Sequence, residues 1–215
     1  MINSVIKSIG TEFECGMSAS NLRKVRDSDL FYIGSDGSVS TGAEKDGIEL
    51  KWWSEHKDVF MNKATELYSY RPVGNSSCGL HIHTKFVDEN KAFFVFSTKN
   101  AQERYIAEYD KKFGNNPKYK NRLSGRYSGY SGYDFTLTLR QTSESYKSGS
   151  RYSALNLNSY RKLGTIEFRI YPYQETLGEF EETINWHIDT ITKIMKEYGK
   201  NLVVEIRDGL KEVYD

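Results

Sequence analysis

The sequence predicts an α+β protein, and three features of the chain support this fold class. Several short segments alternate polar and apolar residues, which is the pattern of strands that bury one face. One long segment repeats apolar residues at three- and four-residue steps, which is the pattern of an amphipathic helix. No stretch rich in proline or glycine divides the 215 residues, so we expect a single domain over 1–215.

Seven segments have the alternation or composition of strands. They are 8–15, 29–34, 46–53, 79–86, 134–141, 151–158 and 164–171. Segment 91–97 is uniformly apolar and fits either a strand or a helix.

Three helices are predicted, at about 54–70, 99–112 and 176–198. Ser54 is placed to cap the first helix, and Pro72 prevents its continuation. Thr176 and Glu179 fit a capping box for the last helix, and Gly199 fits its end. The apolar stripe of this last helix predicts that it covers the sheet.

The composition excludes several classes of protein. The net charge of +1 does not suit a uniformly basic nucleic-acid-binding protein, so we do not expect nucleic acid as a partner. The longest apolar run, 92–96, is far shorter than the roughly 20 residues of a membrane-spanning helix, and residues 1–8 lack the apolar core of an export signal. We therefore expect a cytoplasmic protein with no membrane partner. The two cysteines, Cys15 and Cys78, are too few for a disulfide framework, and we expect buried, inert thiols.

One segment of the chain is strongly basic. From Lys111 to Arg151, nine lysines and arginines accompany two acidic residues, a local charge of +7. Glycines, serines and five tyrosines in the same segment argue against a regular helix. We therefore expect an irregular basic arm over about 111–150. It is either a solvated surface segment or a mobile flap that attracts an anion.

The most informative feature is a polar–apolar–polar triplet in three predicted strands. The triplets are Glu12-Phe13-Glu14, His81-Ile82-His83 and Glu167-Phe168-Arg169. Because alternate side chains of a strand point to opposite faces, each polar pair shares one face and each central residue points toward a core. If the strands belong to one sheet, its polar face collects three carboxylates, two imidazoles and a guanidinium. Glu49 would add a fourth carboxylate.

Clustered carboxylates of this kind need positive charge beside them. They repel one another, and burial raises their pKa values unless cations intervene. An oxygen-rich site with few nitrogens suits Mg²⁺ or Mn²⁺ better than structural zinc. The three triplets together therefore predict a divalent-metal site, whereas each triplet alone also fits a solvated face or a same-face ion pair.

The motifs resemble those of a known superfamily. Segments 75–83 and 164–169 resemble the histidine segment and the Glu–x–Arg strand of glutamine synthetase, and 11–14 resembles its first acidic strand. The chain is shorter than that enzyme and is closer to the compact amidoligase family of carboxylate–amine ligases, over roughly residues 8–172. The further elements of the family pattern are Asp36-Gly37-Ser38, Gly47-Ile48-Glu49, Gly79-Leu80-His81-Ile82-His83, Arg151-Tyr152 with Asn156, and Glu167-Phe168-Arg169.

The resemblance implies a fold and an activity. The fold is an antiparallel sheet curved into a funnel, with helices on its outer face. The activity is ATP-dependent amide or isopeptide formation through an acyl phosphate, with Mg²⁺ or Mn²⁺ and with small-molecule or peptide carboxylate and amine substrates. The implied metal ligands are Glu12, Glu14, Glu49, His81 and Glu167. The implied catalytic residues are Arg169, Glu167 and Glu49, and the implied nucleotide- or substrate-binding residues are His83, Arg151, Asn156 and Arg169.

Two other functions fit the same residues. One is a metal-dependent hydrolase that uses His81, His83 and the glutamates to activate water. The other is a non-catalytic binding module that uses the basic arm. The sequence has no G-x-x-x-x-G-K-[ST] loop, so a P-loop NTPase is not supported. After Glu49 the chain has Lys51-Trp52-Trp53 where the family has a Ser/Thr–Pro turn, and Asp36 is the alternative ligand.

Overall fold

The computed structural model describes residues 1–35, 39, 47–126, 128–142 and 152–200. Over these ranges the protein is α+β, as predicted, with six strands in one antiparallel sheet and eight helices. The strands are β1 (Ile6–Cys15), β2 (Tyr32–Ser35), β3 (Ile48–Ser54), β4 (Gly79–Phe86), β5 (Leu155–Asn156) and β6 (Ile166–Pro172). The helices are α1 (Ala19–Asp27), α2 (Lys57–Ser69), α3 (Glu89–Phe96), α4 (Lys99–Phe113), α5 (Pro117–Leu123), α6 (Phe135–Thr142), α7 (Asn158–Leu163) and α8 (Leu177–Tyr198). Within the described ranges, none of these helices has an apolar stretch of the length that a bilayer requires.

The strands that carry the three triplets are neighbours in the sheet. The strand order is β2-β3-β1-β4-β6-β5, and each neighbouring pair is antiparallel. β1 therefore lies between β3 and β4, and β6 lies on the far side of β4. The polar residues of four consecutive strands can meet on one face.

The other face of the sheet carries the hydrophobic core. Phe13, Ile82 and Phe168, the central residues of the triplets, are completely buried there. Helices cover this face: Phe60 of α2 and Phe180 of α8 stack on Trp52 of β3, with ring centroids 5.5 and 5.8 Å away. Burial of large apolar rings on one face stabilises the sheet and leaves the opposite face to the polar residues.

The last helix forms as its capping signals predict. The Thr176 hydroxyl accepts a hydrogen bond from the Glu179 backbone N–H at 3.1 Å, and Gly199 follows the final turn. The Glu179 carboxylate accepts from the Glu175 N–H at 2.8 Å. The first bond satisfies an N–H group of the helix start, whereas the second binds the residue before the N-cap and not the N-cap N–H of a standard capping box.

The predicted strand at 134–141 is wrong, because this segment forms α6. The Asp134 carboxylate accepts from the Leu137 N–H at 2.9 Å and thereby caps a helix. Phe135 and Leu139 are exposed, whereas Gln141 is buried. The Gln141 amide binds the backbone of β5 and the residue after it. Contacts distant in sequence therefore override the local alternation.

Three other predicted elements need correction. The strand predicted at 151–158 is reduced to β5, because the chain turns into α7 directly after it. The ambiguous segment 91–97 is helical, as α3, and Asp88 caps it. Ser54 is the last residue of β3 and does not cap α2; its hydroxyl accepts from the His56 N–H at 3.0 Å.

The basic arm is more regular than the sequence predicts. Within 111–150 the structure describes α5 and α6, while Tyr127 and residues 143–150 lie outside the described residues. Tyr119 of α5 is buried, and its hydroxyl donates to the Gln174 side chain at 2.8 Å. The described part of the arm therefore packs against the domain.

Candidate functional site

Strands β1 and β3 place a lysine between two of the predicted metal ligands. Glu12 lies opposite both Lys51 of β3 and His81 of β4, and Glu14 lies opposite Glu49. The Lys51 Nζ lies 2.7 Å from Glu12 Oε1 and 2.7 Å from Glu49 Oε2. Lys51 shares a strand face with Glu49, so the two-residue period could have identified it, although it belongs to none of the three triplets.

His81 lies at the centre of the site. Its Nδ1 is 3.3 Å from Glu12 Oε2 and 3.5 Å from Glu167 Oε1, and its Nε2 is 3.5 Å from Glu14 Oε1. Its side chain is almost completely buried. We use the name Glu–His cluster for Glu12, Glu14, Glu49, His81, His83 and Glu167.

Two overlapping sets of three ligand atoms occur in the cluster. One set comprises Glu12, His81 and Glu167, the other Glu14, Glu49 and His81, and the atoms of each set lie within 4.8 Å of one another. The oxygens around Mg²⁺ lie at about 2.1 Å from the ion, so small side-chain movements would bring either set into range. All five predicted metal ligands therefore lie in positions that fit a divalent cation.

The electrostatic environment of the cluster favours charged carboxylates at two positions. Burial raises the pKa of Glu12, but the neighbouring imidazoles of His81 and His83 outweigh it, and the pKa lies well below its ordinary value. Burial also raises the pKa of Glu167, which His83, Arg169 and His81 bring below its ordinary value. At these two positions the favourable contacts outweigh desolvation.

Glu49 and His83 are shifted in the opposite direction. Burial and the charge of Glu12 raise the pKa of Glu49 more than Lys51 lowers it. For His83, burial lowers the pKa, but Glu12 and Glu167 raise it above its ordinary value. The pKa values of some groups in the cluster are therefore raised and those of others are lowered. Such perturbed pKa values are common at functional sites.

Glu167 is held by polar groups on each side. Its Oε2 accepts from the Asn156 amide at 2.6 Å and from the Ser159 hydroxyl at 3.0 Å. Its Oε1 accepts from Arg169 Nη1 at 2.5 Å. The structure thus places Asn156 and Arg169 beside a carboxylate of the cluster, together with Ser159, which belongs to none of the sequence motifs.

His83 has an unusual hydrogen-bonding state. Its Nδ1 lies 3.1 Å from the Thr165 hydroxyl. Its Nε2 is buried, lies 3.5 Å from Glu12 Oε1, and has no hydrogen-bond partner among the residues that the structure describes. A buried ring nitrogen without a partner is costly, which is consistent with a ligand position.

At a bulge in β6, a backbone carbonyl accepts a hydrogen bond from Arg122, which is a second arginine near the site. Leu80 lies opposite Tyr171 and Ile82 opposite Phe168, so Arg169 and the residue after it together face a single residue of β4. Arg122 of α5 donates from Nη2 to the Arg169 carbonyl at 3.2 Å. Bulges frequently redirect side chains beside functional sites.

Gly79 provides the space for Arg122. A Cβ on Gly79 would lie 2.3 Å from Arg122 Nη2 and 3.3 Å from Glu14 Oε2. Burial lowers the pKa of Arg122, and the nearby Glu14 charge opposes that effect. The sequence contained no local signal for this contact, because Arg122 lies in a segment predicted to be irregular.

The remaining predicted residues are placed as follows. Asp36 and Arg151 lie outside the described residues. Cys15 and Cys78 are buried and unpaired with each other, as expected, and burial raises the pKa of each thiol. The cysteines therefore have the environment of unreactive thiols.

No protein-family model matches this chain, and no curated protein matches it in sequence. The resemblance to amidoligases therefore remains an expectation from the sequence motifs.

Proposed function

We propose that this protein is an ATP-dependent ligase that joins a carboxylate to an amine through an acyl phosphate, with Mg²⁺ or Mn²⁺ at the Glu–His cluster. The observation that carries the proposal is that all five predicted metal ligands converge in one largely buried cluster. The type of reaction is inferred from the resemblance of the sequence motifs to those of amidoligases. We also propose that the antiparallel sheet is curved into a funnel, as in glutamine synthetase-like enzymes.

The chemistry requires charge neutralisation and a fixed donor. A carboxylate oxygen is a poor leaving group until it is phosphorylated, and bound Mg²⁺ or Mn²⁺ would neutralise the triphosphate during that transfer. Glu167 holds the Arg169 guanidinium at the edge of the cluster. In this position Arg169 would stabilise the transferred phosphoryl group, since a pre-organised guanidinium loses little entropy when it binds an oxyanion.

The attacking amine needs a proton acceptor. Glu49 is the proposed acceptor, because its side chain is 13% exposed whereas that of Glu14 is 6% exposed. Glu12 is more exposed, at 19%, but its pKa lies well below its ordinary value, whereas burial and the Glu12 charge raise the pKa of Glu49, so Glu49 is the better base. Arg122, which belongs to the basic arm, lies beside Gly79 and Glu14, and we propose that the arm limits the access of water to the acyl phosphate.

Isothermal titration with a magnesium complex of a non-hydrolysable ATP analogue tests the proposal. We expect binding by the wild-type protein, and loss of at least tenfold in affinity in Glu12→Gln and Glu167→Gln. Glu182→Gln is the matched control, because Glu182 lies on α8 and forms a surface ion pair with Lys112. Thermal melts establish that each variant is folded.

Three results would contradict the ligase. The first is no binding of the analogue at millimolar concentration. The second is binding that the two cluster variants leave unchanged, which would indicate the binding module. The third is metal-dependent hydrolysis of esters, amides or phosphodiesters without ATP, which would indicate the hydrolase.

A further inference from the structure

An exposed tryptophan lies on the polar face of the sheet. Trp53 of β3 alternates with Trp52, so it shares a face with Lys51 and Glu49 while Trp52 enters the core. Trp53 is 69% exposed, whereas Trp52 is 3% exposed. Tryptophan is usually well buried, so a largely exposed indole beside a polar cluster needs an explanation.

The residue next to Trp53 on the sheet is a glycine. Gly10 of β1 lies opposite Trp53 on one side and opposite His83 on the other. A Cβ on Gly10 would lie 3.3 Å from the Trp53 Cβ and 3.7 Å from the His83 Cβ. Gly10 does not have a left-handed backbone, so its conformation does not require glycine. Its missing side chain leaves a gap between the indole and the imidazole.

The gap adjoins groups that suit phosphate. The His83 Nε2 is buried without a hydrogen-bond partner in the described part of the chain. Lys51, two residues from Trp53 on the same face, has a side chain that is 35% exposed. The exposed fraction of the side chains in the site also increases toward the strand that carries Trp53, from 5% for Glu167 to 19% for Glu12. A ligand would therefore enter from the Trp53 side.

We propose that Trp53 and Gly10 form a shelf that binds the base of the nucleotide, with the base stacked on the indole and the phosphates extending past Lys51 and His83 to the Glu–His cluster. Two strand spacings separate Trp53 from His83, roughly 10 Å, which leaves room for a ribose and the first phosphates. Stacking of a base on an aromatic side chain does not depend on base identity. The inference rests on the proposed use of ATP.

The test compares two ligands with matched phosphates. The first is the magnesium complex of a non-hydrolysable ATP analogue, and the second is magnesium tripolyphosphate, which has no base. We expect Trp53→Ala to weaken binding of the analogue about tenfold or more, as one lost stack does, and to leave tripolyphosphate binding unchanged. Trp53→Phe should retain most of the affinity, and Gly10→Ala should weaken it by narrowing the gap.

Phe94→Ala is the control, because Phe94 is a half-exposed aromatic residue on α3. It should bind both ligands as the wild-type protein does. The shelf alone is refuted if the wild-type protein binds the analogue and Trp53→Ala binds it equally well, or if Trp53→Ala weakens both ligands alike. Absence of analogue binding by the wild-type protein would overturn both the shelf and the ligase.

Discussion

Lys51 neutralises two carboxylates of the cluster at once. Its ammonium lies 2.7 Å from an oxygen of Glu12 and of Glu49. Burial lowers the pKa of Lys51, but the hydrogen bonds of the two carboxylates raise it above its ordinary value. Lys51 therefore remains charged. Because its ammonium binds Glu12 and Glu49, a divalent cation must compete with it for these two carboxylates.

Lys51→Met should strengthen Mn²⁺ binding. Removal of the competing positive charge should lower the Kd about tenfold, which corresponds to roughly 1.4 kcal/mol, and should lower thermal stability without metal because Glu12 and Glu49 then repel each other. Titration calorimetry with Mn²⁺ alone provides the measurement. Lys85→Met is the matched control, since Lys85 is similarly exposed but pairs with Glu89. Unchanged or weaker Mn²⁺ binding would show that the ammonium does not compete.

At the residue scale, the sequence predicts most of the candidate site. The two-residue period of a strand is local, so the shared faces of Glu12 with Glu14 and of Glu167 with Arg169 could be inferred, and both agree with the structure. Arg122 could not be inferred, because only the packing of α5 against β6 brings it there. Long side chains from distant elements have no periodicity that identifies their target.

At the scale of elements, the contact between β4 and α5 depends on the absence of a side chain at Gly79. The Arg122 guanidinium occupies the space that a Cβ would take and binds the carbonyl exposed by the β6 bulge. Arg169, at the start of the bulge, also binds Glu167. β4, β6 and α5 therefore lie in close contact beside Gly79.

Gly79→Ala should destabilise the protein by about 1 kcal/mol, because the Arg122 guanidinium must move and loses its hydrogen bond to the Arg169 carbonyl. In the Arg122→Ala background the same change should cost little, because the clashing guanidinium is gone. Urea unfolding of the four proteins gives the coupling energy. An equal cost of Gly79→Ala in both backgrounds would show that Arg122 is not the reason for the glycine.

The predicted strand at 134–141 shows where element prediction fails. Phe135, Leu137 and Leu139 alternate as strand residues do, yet Asp134 caps a helix and Gln141 anchors it to β5. By contrast, α8 matches its prediction closely, because its pattern is long and agrees with its caps. Tertiary contacts decide the secondary structure of a segment with a short pattern, whereas a long pattern specifies its own secondary structure.

At the scale of the whole molecule, a buried histidine links the sheet to its helices. His187 of α8 lies 2.8 Å from the Tyr171 hydroxyl, 3.0 Å from the Tyr105 hydroxyl and 2.9 Å from the Thr84 hydroxyl. The two tyrosines are also hydrogen-bonded to each other. Burial lowers the pKa of His187 to about 3. The imidazole is therefore neutral in the folded protein.

His187 should make stability depend on pH. The unfolded chain binds its proton near pH 6.5 and the folded chain only near pH 3, so stability is full above the first value and falls as pH is lowered between them. At pH 5 the loss from this residue is about 2 kcal/mol.

Urea unfolding at pH 7 and pH 5 checks this prediction. His187→Gln should be less stable than the wild-type protein at pH 7, with a difference that shrinks by about 2 kcal/mol at pH 5. His56→Gln serves as the control, since His56 is exposed before α2. A difference that stays constant between the two pH values would contradict a neutral buried His187.

Local sequence patterns specify the α+β class, the long helix α8 and the faces on which the triplet residues lie. These properties follow from periods of two and of three to four residues, which neighbouring residues impose on the backbone. The tertiary structure alone decided that β3, β1, β4 and β6 are neighbours, that their registers align Lys51, Glu12 and His81, and that Arg122 enters over Gly79. Strand order and register arise from packing between residues far apart in the chain, and no local pattern specifies that packing.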